Sequence, residues 1–250
     1  MTPASNSSKK VAFITGGNKG IGLETARQLG KLGITVVIGS RDLAKGKAAA
    51  DKLRAEKIDA EVISFDVTNR KDHKKALDHF TSHHGKLDIL INNAGIWKDG
   101  NPFQNTTATI SGKDLRETFD TNFFGTVELT QTLLPLLEKA PAGRIVNLSS
   151  ILGSLTLQAD EKSPVYGTKA FAYDASKAAL NAFTIHLAAA LRDTKIKVNS
   201  AHPGWVKTDM GGKGAVMEIP EGAKTSVALA TLGEDGPTGA YIHLGQTLPW

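Results

Sequence analysis

Seven short runs rich in strand-forming residues recur along the chain, and they constrain its fold more than any other feature. They are "KVAFITG" (10–16), "ITVVIGS" (34–40), "AEVISFDV" (60–67), "LDILINNAG" (87–95), "GRIVNLSS" (143–150), "KIKVNSAHPG" (195–204) and "GAYIHLG" (239–245). Several are nearly continuous in Val, Ile and Leu, the pattern of strands buried on both faces by helices covering a parallel sheet. Helical stretches lie between them: about 20–32, closed by Gly33; one opened by Asp42; one opened by Thr68 or Asn69; two long ones over 113–139 and 171–194; and a short last one over 220–232. Short oxygen-bearing side chains at these starts suit the free backbone N–H groups of a helix end. The alternation predicts an α/β chain with a Rossmann-type doubly wound parallel sheet of about seven strands. It forms one domain over 10–250 behind a disordered tail at 1–9. Ligands of such sheets bind at the carboxyl ends of the strands.

Composition removes whole classes of function. With 250 residues, 40% of them hydrophobic, the chain can bury a core, and having no cysteine it has neither disulfides nor a thiol nucleophile. No apolar run approaches the ~20 residues that cross a bilayer, and the first ten residues hold no apolar segment of a secretory signal. A cytoplasmic protein without a membrane partner is expected. The net charge of +5 is spread among acids with no basic–aromatic stripe, which speaks for anionic small ligands and against nucleic acid. His73, His79, His83 and His84 fall in a polar helix and read as surface residues. No histidine spacing forms a ligand motif, so no metal is expected.

The first strand runs into "TGGNKGIG", Thr15–Gly22. Glycines there allow a tight turn and close backbone approach to a pyrophosphate, and the following helix offers free N–H groups and the positive end of its dipole. Strand, loop and helix together point to a dinucleotide, held by Gly16, Asn18, Lys19, Gly20, Ile21 and Gly22. An acid ending the second strand would favour NAD; here Ser40 and Arg41 stand there, and Lys19 adds a second cation. This favours the phosphorylated ribose of NADP(H), with Asp42 facing away as a helix cap. Asp66 and Val67 end the third strand beside the adenine pocket. Asn93, Ala94 and Gly95, in "NNAG", end the fourth with side chains small enough for a cofactor to lie close.

Two tyrosines are each followed by a lysine: Tyr166 with Lys169, and Tyr173 with Lys177. Pro164 and Gly167 mark the first pair as loop, whereas Tyr173 leads into an unbroken helical run that fixes both of its groups on one face. A phenol is a weak acid–base at neutral pH, and a cation four residues on is expected to lower its pKa.

In order, "TGGNKGIG", "NNAG", "VNLSS" and Tyr173 with Lys177 resemble the short-chain dehydrogenase/reductase family over about residues 10–245, most nearly its NADPH-dependent carbonyl reductases. The resemblance implies a catalytic tetrad of Asn122, Ser150, Tyr173 and Lys177, and a nicotinamide segment in "HPGWVKTDM" with Pro203, Gly204, Val206 and Thr208. It implies hydride transfer to a ketone, aldehyde or quinone, with Tyr173 protonating the oxygen, Ser150 steadying it, Lys177 holding the ribose and Asn122 positioning a water. The alternatives are an alcohol or steroid dehydrogenase working oxidatively with NAD(P), or a non-catalytic NADP-binding sensor. The serine-to-tyrosine interval is about ten residues longer than is usual in the family, as in its carbonyl reductases. This insertion, about 151–172, is expected to line the pocket entrance and to screen helices used for tetramers. A monomer or homodimer is expected, with a tetramer not excluded. The short "DMGGKGAVMEIPEGA" suggests an open site for small carbonyl substrates.

Overall fold

Each apolar run forms a strand in the computed structural model, which describes residues 9–101 and 104–250. β1 (Val11–Thr15), β2 (Thr35–Ser40), β3 (Ala60–Ser64), β4 (Ile89–Asn92), β5 (Arg144–Leu148), β6 (Lys197–Ala201) and β7 (Tyr241–His243) pair in parallel, in the order β3-β2-β1-β4-β5-β6-β7. An eighth strand, β8 (Gln246–Thr247), was not expected and runs antiparallel to β7. Leu244 and Gly245, with φ of 45° and 83°, join the two. A two-residue turn with both φ values positive usually carries Asn-Gly or Asp-Gly, so the leucine hid the hairpin. The expected disordered tail falls outside the described residues except at Lys9, whose ammonium pairs with Asp59 at 2.9 Å.

Period-two alternation puts side chains on both faces of the sheet, and both are apolar. On one face Ala12, Ile14, Val36, Ile38, Ile89, Ile91 and Val146 pack beneath α1 (Gly20–Lys31), α2 (Leu43–Ala55) and α8 (Ile219–Ala230). On the other, Val11, Phe13, Val37, Leu90, Ile145 and Val198 pack beneath α3 (Arg70–His83), α5 (Gly125–Leu137) and α7 (Phe171–Ala190). Helix starts follow the capping signals. Asp42 accepts from Lys45 N at the head of α2, and Asn69 from Lys71 N at the head of α3. The long helix expected over 113–139 is three pieces: α4 (Gly112–Phe119), a π turn (Asp120–Phe124) and α5. The insertion is not bare loop either. It holds a 3-10 turn (Ile151–Gly153) and α6 (Leu155–Ala159).

Histidine placement departs from expectation. His73 is buried: its Nε2 lies 2.7 Å from the Val67 carbonyl and its ring stacks on Phe65. His79 and His84 are half-buried around Glu61, while His83 is exposed. The polar look of α3 in sequence concealed the side that faces β3.

Phe13 is fully buried, with the rings of Phe65 and Phe80 each 5.2 Å from its own. Phe13→Ala leaves a cavity at the centre of the sheet and is predicted to cost about 3–5 kcal/mol of unfolding free energy. Urea denaturation measures it, and a loss under ~1 kcal/mol would contradict this packing.

Candidate active site

The strand order reverses between β1 and β4, and the glycine loop emerges there. The Asn93 side chain fixes it, donating from Nδ2 to Thr15 O (2.7 Å) and Gly16 O (3.2 Å), while Thr15 Oγ1 accepts from Asn93 N and Ala94 N, each at 3.0 Å. A Cβ at Gly22 would lie 2.5 Å from Asn93 Nδ2 and 2.7 Å from Gly16 O, so only glycine lets the helix start this close. Gly20 has φ 56° and faces Thr208, whose Cγ2 is 3.4 Å from where a Cβ would stand. The residue before α1, Lys19, makes no side-chain cap, and the first turn holds no acid. The N–H groups there are thus open to an anion under a positive dipole end, the cradle that a dinucleotide pyrophosphate requires. Asn18 and Ile21 are partly buried, with Ile21 packed on the core.

At the second strand, Ser40 Oγ donates to Asp42 O (2.7 Å), and the Asp42 carboxylate turns to its own helix, as expected. Arg41 is exposed and has no ion-pair partner among the described residues. Lys19, by contrast, pairs with Asp209 at 2.5 Å, an exposed and weak contact that joins the glycine loop to the 206–209 segment. Asp66 commits one carboxylate oxygen to Thr68 N and Oγ1, and Val67 is buried in the core.

Tyr173 lies in the first turn of α7, 8% exposed, with the Lys177 ammonium 5.5 Å from its ring centroid. Lys177 Nζ donates to Leu148 O at 2.7 Å and lies near Gly95 and Asn122. Ser150, two residues past β5 at the head of the 3-10 turn, is hydrogen-bonded with the phenol. Burial pushes Tyr173 up to about 12, and hydrogen bonding with Ser150 offsets only part of this. Burial also lowers Lys177 to about 8. The phenol pKa is thus raised where a lowering by Lys177 was expected: desolvation is the largest cause, and the ammonium is bound to a carbonyl rather than to the hydroxyl. At neutral pH Tyr173 is therefore a protonated acid in a dry pocket, with a cation beside it.

Asn122 lies in the π turn with its side chain fully engaged. Oδ1 accepts from Ile96 N (2.8 Å), and Nδ2 donates to Ile96 O and Ser176 Oγ, each at 3.0 Å. Its side chain ties the loop after β4 to α7. Tyr166 and Lys169 form a different object: the Lys169 ammonium sits 4.2 Å over the Tyr166 ring and donates to Gln158 O and Oε1. Gln158 Nε2 in turn reaches Asp174 Oδ2 at 3.2 Å. The insertion thus buttresses the head of α7.

Three functional side chains escaped the sequence. Asp99 is buried and accepts from Ala172 N and Tyr173 N, each at 2.9 Å, and from Thr106 Oγ1 at 2.7 Å. It caps α7 from a distant loop, where Ala170 offers no cap of its own. Trp97 lays its ring 4.7 Å from that of Tyr173. His202, held at about 3 by burial and hence neutral, accepts at Nδ1 from Ile151 N and Gly204 N. It links the Ser150 loop to the Pro203–Gly204 turn. Val206 pairs with Met217 in an isolated bridge, and Thr208 Oγ1 accepts from Gly211 N. The 203–208 segment thereby lies against the glycine loop, with Thr208 facing Gly20. An acid shortly after "NNAG" was the available signal for Asp99.

A family model described as short chain dehydrogenase matches residues 10–217. The chain is 33% identical to mouse carbonyl reductase [NADPH] 1 over 286 positions, covering 98% of this chain and all of the mouse protein. It is 30% identical to (+)-neomenthol dehydrogenase of Capsicum annuum, covering 94% and 96% of the two chains. The crystal structure of NADPH-bound carbonyl reductase from chicken fatty liver superposes with a TM-score of 0.83 at 30% identity, over 97% of this chain and 99% of that one.

Asp99 positions Tyr173 through the backbone. Asp99→Ala is predicted to lose about 1–2 kcal/mol of stability, the range of a lost helix cap, and to lower kcat more than it raises KM. Asp99→Asn, which keeps one acceptor, should fall between. Unfolding and steady-state kinetics check this, and unchanged kcat in a folded Asp99→Ala would contradict it.

Proposed function

From the premise that this chain belongs to the short-chain dehydrogenase family, we propose that it is an NADPH-dependent carbonyl reductase, with Tyr173 the proton donor to a small ketone, aldehyde or quinone. One arrangement carries this reading: Tyr173, buried in the first turn of α7 with the Lys177 ammonium 5.5 Å from its ring centroid, stands at the same strand edge as the glycine loop, where a protonated phenol can give its proton to a carbonyl oxygen. NADPH, when bound, supplies the hydride. Every other task falls to the chain. The uncapped first turn of α1 and Gly20 hold phosphate, and Arg41 meets the 2′-phosphate. Ser150 donates to the carbonyl oxygen as charge gathers there, and Lys177 stabilises the phenolate left behind. Trp97 supplies an aromatic wall against the substrate. The alignment with the mouse protein is longer than this chain, so the relative carries internal segments absent here, in keeping with an open pocket that accepts varied carbonyl compounds.

The test is NADPH oxidation across aromatic ketones, α-keto esters, quinones and terpenoid ketones. Turnover should be found with at least one class, and kcat/KM for NADPH should exceed that for NADH. Arg41→Ala should erode the preference without abolishing turnover with NADH. A preference for NADH would overturn the cofactor assignment. The charged form of Lys177 is lost as pH rises through about 8. Because kcat/KM for NADPH reports the free enzyme, it should fall on the alkaline side with an apparent pKa near that value. A plateau to pH 10 would contradict the role given to Lys177.

A further inference from the structure

At the other end of the sheet, Glu61, near the start of β3, faces His79 in the last turn of α3 and His84 just beyond it. His79 Nε2 lies 3.0 Å from one Glu61 carboxylate oxygen, and His84 Nε2 lies 3.3 Å from the other. One ligand atom from each of the three residues falls within 4.8 Å of the others. His84 Nε2 is shielded from water and makes no hydrogen bond despite its nearness to the carboxylate. Such an orphaned buried nitrogen is rare and calls for a partner. The rings of Phe80 and His83 wall the cluster, at 5.4 Å and 4.5 Å from His79. His83 itself turns its Nδ1 to His79 O and Ser82 Oγ.

We propose that Glu61, His79 and His84 form a divalent transition-metal site of the zinc class, with two imidazoles and one carboxylate as ligands and water completing the shell. Two nitrogens and one oxygen suit zinc, whereas calcium and magnesium take oxygen ligands. Binding displaces the proton that His79 Nε2 otherwise shares with the Glu61 carboxylate. The ion pins the edge strand β3 to the end of α3. Glu61 stands five residues before Asp66, about 16 Å along the strand direction, so the role is structural rather than catalytic. The spacing escapes motif scanning because His79 and His84 are five apart, not the four of a helical pair, and Glu61 comes from another element.

The test uses the full chain, stripped with chelator and desalted, titrated with zinc chloride by calorimetry and followed by thermal melting. One equivalent should bind with release of protons, and Tm should rise with zinc and not with magnesium or calcium. His79→Gln and His84→Gln should each weaken binding by about 100-fold or more, beyond the roughly 10–100-fold typical of losing an outer-shell partner. His83→Gln should bind as the parent does. NADPH oxidation should be the same with and without zinc. Absence of stoichiometric zinc binding in the parent chain would overturn the proposal, as would undiminished binding in a folded His79→Gln or His84→Gln.

Discussion

A sheet that is apolar on both faces governs everything else in this molecule. Strands such as "VAFIT" and "TVVIGS" are buried along their whole length, so helices must cover both sides, and right-handed crossovers make the strands parallel. Parallel strands all end at one edge. The loops that leave that edge bring the glycine turn, Asn93–Gly95, Ser150 and the 202–208 segment together, although they are spread over nearly two hundred residues. The winding reverses between β1 and β4, which opens the crevice there. Loop chemistry then decides what the crevice offers: an uncapped helix start open to an anion, and a capped one, α7, that carries Tyr173.

The second constraint is dryness. Tyr173 and Lys177 are both buried, and desolvation moves each toward its neutral form, the phenol up and the ammonium down. The two shifts are opposite in sign, and the Lys177 ammonium lies 5.5 Å from the phenol ring centroid. The surroundings are built to keep this arrangement fixed. Asp99 caps the first turn of α7, Asn122 clamps the loop at Ile96, and the insertion braces Asp174 through Gln158 and Lys169. The insertion is therefore tied to the catalytic helix, and the Tyr166–Lys169 pair is one of its fastenings.

Strands and helix starts were legible because each is written locally, in apolar runs and in Asp42, Asn69 and the glycines. The glycine loop, Ser150, Tyr173 and Lys177 were legible because their order and spacing are carried by the chain itself. What stayed hidden is tertiary. Asp99 acts on a helix more than seventy residues away. His202 owes its role to neutral burial, and Trp97 to a neighbour brought in by α7. β8 was masked by a leucine in a turn that ordinarily uses asparagine or aspartate. The inward-facing histidines, His73 and His79 on α3 and His84 just past it, were masked by a polar sequence whose partners, Glu61, Phe65 and Val67, lie on and just after β3. The sign of the Tyr173 shift was misjudged because spacing reveals a nearby charge and not the loss of water.

The central claim is that a buried, protonated Tyr173 gives up the proton while Tyr166 only fastens the insertion. Single-turnover kinetics with purified Tyr173→Phe and Tyr166→Phe, alongside NADPH titration by fluorescence, tests it most directly. Tyr173→Phe should bind NADPH as the parent does yet lose on the order of 10²–10⁴-fold in the rate of carbonyl reduction, while Tyr166→Phe keeps most of that rate. A parent-like rate in Tyr173→Phe would contradict the account.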